Sequence, residues 1–244
     1  MKMIKSTPVS ADLMGHFATF QSRGGLFRLN LRHSLRRVAW RWLVGGSDVV
    51  KRVLDVLGSL AALLVLSPLL LLVGGLVRLD GGPALFVQTR VGRHGREFKM
   101  FKFRSMRTDA DKHLAELLAA NKHANGITFK IKDDPRMTLV GRWLRRFSLD
   151  ELPQFANVLL GDMSLVGPRP PVPREVMLYT LADRRRLSVK PGITCIWQIS
   201  GRAEIDFPGQ VLLDVNYIET QSLGKDIRIL ARTPGAVVFG PGAY

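Results

Sequence analysis

"VLDVLGSLAALLVLSPLLLLVGGLV", residues Val53–Val77, decides how the rest of the chain is placed. The run holds 25 residues and a single charge, Asp55, near its start. As a straight helix rising about 1.5 Å per residue it would cross roughly 30 Å of hydrocarbon. Ser67-Pro68 interrupts it. Proline has no N–H for the preceding turn and its ring clashes with the carbonyl behind it, so a sharp bend is expected there. Lys51 and Arg52 stand before the run and Arg78 after it, whereas a simple crossing biases lysine and arginine to one side. The run therefore reads as a re-entrant helical hairpin that enters and leaves by the cytoplasmic face. The Ser67 hydroxyl is a candidate partner for a carbonyl freed at the break. A proline-kinked spanning helix is the alternative, and so is a buried helix of a soluble core, although few soluble helices are apolar all round. For a cleaved signal peptide the run starts too late and is too long.

Residues 1–52 carry ten Lys and Arg against two acids, Asp12 and Asp48, so half of the formal charge of +16 lies ahead of the run. Drawn as a helix, "LFRLNLRHSLRRVAWRWL" (Leu26–Leu43) sets Leu31, Leu35, Val38 and Trp42 along one stripe. Arg28, Arg32, Arg36, Arg37 and Arg41 form another. That is the pattern of a basic helix lying in a membrane interface, drawn to anionic inner-leaflet lipids. Five arginines would also hold nucleic-acid phosphates without specificity, but no recognisable nucleic-acid motif accompanies them. With 244 residues and 46% hydrophobic composition, the chain can bury one sizeable core. The lone cysteine, Cys195, rules out an internal disulfide and a cysteine-rich metal site.

Beyond the hairpin, "PALFVQTRVGRHGREFKMFKFRSM" (Pro83–Met106) reads as two short β segments around the turn signal "GRHG". "DADKHLAELLAANKHANG" (Asp109–Gly126) reads as a helix closing at Asn125-Gly126. In "DDPRMTLVGRWLRRF" (Asp133–Phe147), Leu139, Val140, Trp143, Leu144 and Phe147 follow helical spacing, with Arg142, Arg145 and Arg146 on the opposite face. This basic face leads to two adjacent carboxylates, Asp150 and Glu151, in "RRFSLDELPQFANVLLGDMSLVGPRP".

The pair has a structural reading and a chemical one. Ser148 with Glu151 three residues on is a capping box, flanked by Phe147 and Leu152 as a hydrophobic staple. A helix starting instead at Asp150 would place Pro153 in the first turn, where its missing N–H costs nothing. Either way Asp150 lies at a helix N-terminus, where a carboxylate and a neighbouring phosphate are both favoured. The helix is expected to stop at Gly161. Adjacent carboxylates on one turn suit glycosidic cleavage poorly, because that needs them on two sides of a sugar ring. Phosphoryl transfer fits better: an aspartate can attack phosphorus, a second carboxylate can hold Mg²⁺, and arginines can stabilise the charge that develops. Pro168 and Pro170 would fix the backbone around Arg169.

Taken together, the Ser-Pro break, "FKMFKFRSMR", the stretch from "DDPRM" to "GPRP" and "KPGITCIWQISGR" resemble the monotopic phosphoglycosyl transferases. These are bacterial sugar transferases that start glycan assembly on a polyprenol carrier. The resemblance covers about residues 48–244, in order. It implies transfer of a sugar 1-phosphate from a UDP-sugar to undecaprenyl phosphate, with release of UMP, Mg²⁺ as cofactor and a covalent enzyme intermediate. It also implies that Asp150 is the nucleophile and Glu151 its metal-binding partner. Lys102, Arg104, Arg169 and Arg202 match basic positions of the motifs and are candidate ligands of the nucleotide phosphates. The chain is similar to the shorter members, which load galactose or glucose 1-phosphate in exopolysaccharide synthesis, rather than to those with four extra membrane helices ahead of the hairpin. The expected fold is α+β and mainly helical. It has a basic segment (1–50), a re-entrant membrane helix (51–78) and a cytoplasmic catalytic domain with a small β-hairpin (79–244), seated on the bacterial inner membrane. Nothing in this pattern speaks against a homo-oligomer.

Overall fold

The computed structural model describes residues 48–110, 134–201 and 204–239. The Leu26–Leu43 helix, most of the helix expected over Asp109–Gly126, and Arg202 lie outside them. The chain divides after Val50 into two compact units, Met1–Val50 and Lys51–Tyr244, and nearly all described residues belong to the second. Among the described residues the architecture is α+β and mainly helical, with two small two-stranded sheets.

The apolar run forms two helices, α1 (Asp48–Val65) and α2 (Ser67–Leu79), bent by 64° at the Ser-Pro break. The cause is local. Pro68 cannot donate to the carbonyl of Leu64, and the Ser67 hydroxyl donates to it instead at 2.8 Å. The ladder resumes on both sides, with Leu66 N–H on Ala62 O and Leu70 N–H on Leu66 O. Among the described residues no single helix is long and apolar enough to cross a membrane, while this bent pair passes by length and composition together.

Three polar side chains near the start of α1 tie it to the body of the protein. Arg52 donates to Val158 O and Leu159 O at 2.6 and 2.9 Å. Lys51 donates to Val166 O and to Asp226 Oδ2. Asp55, the only charge of the run, is buried and accepts from Leu165 N–H and the Ser164 hydroxyl. Those bonds offset the cost of burying a carboxylate. On α2, Val73 and Val77 pack inward on Phe103 and Leu144. Leu71, Leu72 and Leu79 of the same helix face outward, 61 to 84% exposed.

Next come β1 (Leu85–Val91) and β2 (Glu97–Phe103), antiparallel with Leu85 opposite Phe103. The expected "GRHG" turn joins them, with His94 and Gly95 both at positive φ. The period of two puts Gln88, Arg90, Met100 and Lys102 on one face.

Helix α3 (Leu139–Arg146) is capped by Thr138, whose hydroxyl accepts from Gly141 N–H. Its apolar stripe is wider than the surface it meets. Val140 and Leu144 join the cluster with α2 and β2, but Leu139 and Trp143, about 100° further round the helix, are 75% and 66% exposed. The helical spacing is as expected, and only part of the stripe is covered by the body of the protein.

Helix α4 (Gln154–Leu160) ends at Gly161 in the left-handed conformation (φ 93°), as expected for a helix C-terminus. β3 (Ser164–Val166), α5 (Pro173–Met177), β4 (Gly192–Thr194) and α6 (Ile196–Ser200) follow. β3 and β4 pair in parallel. Gly167 and Gly192 let the two backbones approach: a Cβ on Gly192 would come within 2.0 Å of the Gly167 nitrogen. α7 (Phe207–Glu219) and α8 (Leu223–Phe239) are the last described elements, Tyr217 and Ile229 packing on Val166.

Candidate active site

Asp150 and Glu151 lie in a 3-10 turn, Leu149–Glu151, between α3 and α4. The capping box is not formed. Ser148 takes a left-handed conformation (φ 52°) and its side chain caps nothing, while Pro153 occupies the N-cap position of α4. A non-glycine residue at positive φ carries a steric cost, and here it turns the chain so that both carboxylates face a cavity of about 1440 Å³.

Glu151 is held by two cations. Its Oε1 accepts from Lys102 Nζ and from Arg169 Nη1, each at 3.0 Å. Burial pushes this carboxyl up, but Lys102 and Arg169 more than offset that and hold it well below the usual carboxylate range. Asp150 is 6% exposed, and none of the described residues donates a hydrogen bond to its carboxylate. Burial raises its pKa against the pull of Lys102, and the neighbouring Glu151 charge adds to the rise. Two adjacent carboxyls are thus driven apart, Glu151 firmly ionised in an ion pair and Asp150 partly dehydrated without one.

Around the pair the cavity wall is strongly cationic. Lys102 comes from β2, and Arg169 from the loop between β3 and α5, where the flanking prolines Pro168 and Pro170 are buried. Arg145 reaches the Ser105 hydroxyl at 3.1 Å. Arg136 is paired to Asp134 through Nε and Nη2. Arg90, which sequence reasoning missed, donates to Pro170 O and to Gln88, and so braces the Arg169 loop against β1. Burial, and then the nearby Arg169, bring it down to about 10. The available signal was its place on the strand face shared with Lys102. Arg104 lines the same cavity but turns two of its donors to main-chain carbonyls, Val77 O and Pro83 O, tying the end of α2 to the start of β1. The structure thus brings Lys102, Asp150, Glu151 and Arg169 together and puts Arg104 at the wall.

A model of the family described as bacterial sugar transferase matches residues 46–240. The chain belongs to this family. Over 196 residues it is 50% identical to the galactosyl transferase CpsE of Streptococcus agalactiae, which covers 80% of this chain and 43% of that one. It is 45% identical over 201 residues to the undecaprenyl-phosphate galactose phosphotransferase of Salmonella typhimurium, covering 81% and 42%. With the exopolysaccharide production protein ExoY of Sinorhizobium fredii the identity is 44% over 205 residues, covering 82% and 90%. The chain therefore spans less than half the length of the first two relatives and nearly all of the third.

Whether the site fits the Mg²⁺ that the resemblance implies turns on donor chemistry. Mg²⁺ is usually held by one or two carboxylates, with substrate phosphates and water as the remaining ligands. The Asp150-Glu151 pair fits such a partial set: Glu151 Oε2 accepts no hydrogen bond from the described residues, and Asp150 is equally open. Among the described residues no group of three or more acidic, histidine or cysteine side chains is placed to hold a metal alone.

Proposed function

We propose that this protein transfers a hexose 1-phosphate from a UDP-sugar to undecaprenyl phosphate, with release of UMP, through a covalent intermediate on Asp150. The observation that carries the reading is the contrast within the carboxylate pair: Glu151 is tied down by two cations, while Asp150 is buried and unbonded beside them. A carboxylate that accepts no hydrogen bond from the described residues and opens on the cavity is placed to attack a phosphorus bound there. One of its oxygens attacks the phosphorus bearing the sugar, the bond from that phosphorus to UMP breaks, and UMP departs with the electron pair. An acyl phosphate of the sugar remains on Asp150. An oxygen of undecaprenyl phosphate then attacks the same phosphorus and the Asp150 carboxylate leaves as it began.

Lys102 and Arg169 lie where they can stabilise charge developing on the transferred phosphoryl oxygens. Mg²⁺ held by Glu151 and the diphosphate would neutralise further charge there. Two relatives carry galactose or galactosyl in their names, so UDP-galactose is the first donor to test, followed by UDP-glucose. With undecaprenyl phosphate and Mg²⁺, catalytic release of UMP is expected from at least one of them. Absence of UMP from every UDP-sugar in a panel would overturn the reading.

The acceptor keeps its tail in the bilayer, and the protein's apolar surface suits that location. The outward leucines of α2 and the exposed Leu139 and Trp143 of α3, a helix that also carries Arg142 and Arg146, form the mixed apolar, aromatic and basic surface expected at headgroup depth. On this reading α1 and α2 form a re-entrant hairpin in the inner membrane, with the Asp150 cavity on the cytoplasmic side. Excess positive charge would draw the protein to anionic lipids and draw both anionic substrates to the site.

A topology experiment checks the hairpin. Cysteines placed before Lys51 and after Arg78 should both be shielded from a periplasmic thiol reagent in intact cells, and labelling at one of them alone would show a spanning helix. Pro68→Leu restores at position 68 the backbone N–H that a continuous helix would donate to the Leu64 carbonyl, and should favour the spanning form.

A further inference from the structure

We infer that Asn157 is a positioning residue whose side-chain amide stands in for a third strand on the open edge of β2 and so sets the geometry of Lys102, Glu151 and Arg169. This rests on the reading of those three as the donor-binding cluster.

Among the described residues β2 is paired to β1 along one edge only. On the other edge the carbonyl of Lys99 and the N–H of Phe101 point outward, and both need partners once buried. Asn157, fully buried on α4, supplies them: its Nδ2 donates to Lys99 O at 2.7 Å and its Oδ1 accepts from Phe101 N–H at 2.9 Å. An amide carries a donor and an acceptor at nearly the spacing of a peptide group. Aspartate lacks the donor, and leucine lacks both.

The same residue closes the far end of its helix. The Asn157 carbonyl accepts from Gly161, Asp162 and Met163 N–H at 3.1 to 3.3 Å, which turns the chain into β3. Around this point Met100 of β2 packs on Val158 and Met163. Three stretches therefore meet at Asn157. Lys102 is one residue beyond the bonded Phe101, Glu151 stands three residues before α4, and Arg169 three residues after β3. A shift of α4 along β2 would pull Glu151 off Lys102.

The test is read without substrate, by acylating the folded protein with an amine reagent and measuring each lysine by peptide mass spectrometry. In the wild type, Lys102 should react more slowly than the exposed Lys99. In Asn157→Ala, two lost hydrogen bonds should raise Lys102 labelling about tenfold. Lys225, held between α7 and α8 by Asn216 and Thr220, should keep its rate. A parallel rise of Lys225, which would signal general loosening, or an unchanged Lys102 would overturn the inference. Should Asn157→Ala not fold, amide exchange in the wild type decides. A protected Phe101 N–H supports the Asn157 bond, and exchange at the rate of an open strand edge contradicts it. With substrate, the losses in Asn157→Ala and Lys102→Ala should fall short of multiplying in the double variant, since Asn157 acts in part through the Lys102 ammonium group, and fully multiplying losses would contradict that. A wild type that transfers no sugar phosphate would defeat the proposed function and leave the labelling result standing.

Discussion

Asp150→Asn is expected to abolish covalent labelling and to lower the transfer rate by roughly 10⁴-fold or more, the scale of losing a covalent nucleophile, or about 5 kcal/mol in the barrier. The amide is nearly isosteric, so the cavity and the Glu151 ion pair should persist. Its effect on stability should run the other way. Burial raises the Asp150 carboxyl above its unfolded value, so the ionised form is disfavoured by folding. The wild type then loses stability as pH rises through the window from the ordinary aspartate value to the raised folded one. Asparagine does not titrate and escapes that loss. At neutral pH the variant should melt no lower than the wild type, and a dead enzyme with an undiminished Tm would mark a residue kept for chemistry.

Glu151→Gln should show the opposite balance. The carboxylate compensates Lys102, and their side chains are 13% and 15% exposed. Removing one partner of a buried pair costs about 3 kcal/mol, or roughly 10 °C in Tm for a chain of this size. Arg169, whose side chain is 34% exposed, contributes the smaller share. The sign with pH follows from the lowered Glu151 pKa: its stabilisation is complete above the unfolded glutamate value and disappears as pH falls through the folded one. The two proteins should therefore differ most at neutral pH and converge in strong acid, as thermal melts across pH would record. Activity should also need more Mg²⁺, because a neutral amide oxygen holds a hard cation less firmly.

Much of the frame was legible in local chemistry. The Ser-Pro break, the "GRHG" hairpin turn and the Gly161 stop each depend on a few adjacent residues, and each appears where expected. The carboxylate pair was also visible, but its setting was not. A capping box is a local pattern, and here Ser148 gives it up because Glu151 gains two cations from distant strands and loops. β3 and β4 are three residues each, too short to display alternation, and they pair only because Gly167 and Gly192 allow close approach. Arg90 and Asn157 were passed over for a related reason: both serve main-chain groups far along the sequence. Leu139 and Trp143 completed a helical stripe that the body of the protein does not cover.

Intact-protein mass spectrometry of the wild type given a UDP-sugar and Mg²⁺ without acceptor tests the central claim most directly. One equivalent of UMP should appear, with a mass increase equal to one sugar phosphate that maps to Asp150 and vanishes when undecaprenyl phosphate is added. An unmodified protein that still turns over once both substrates are present, or the same adduct on Asp150→Asn, would contradict it.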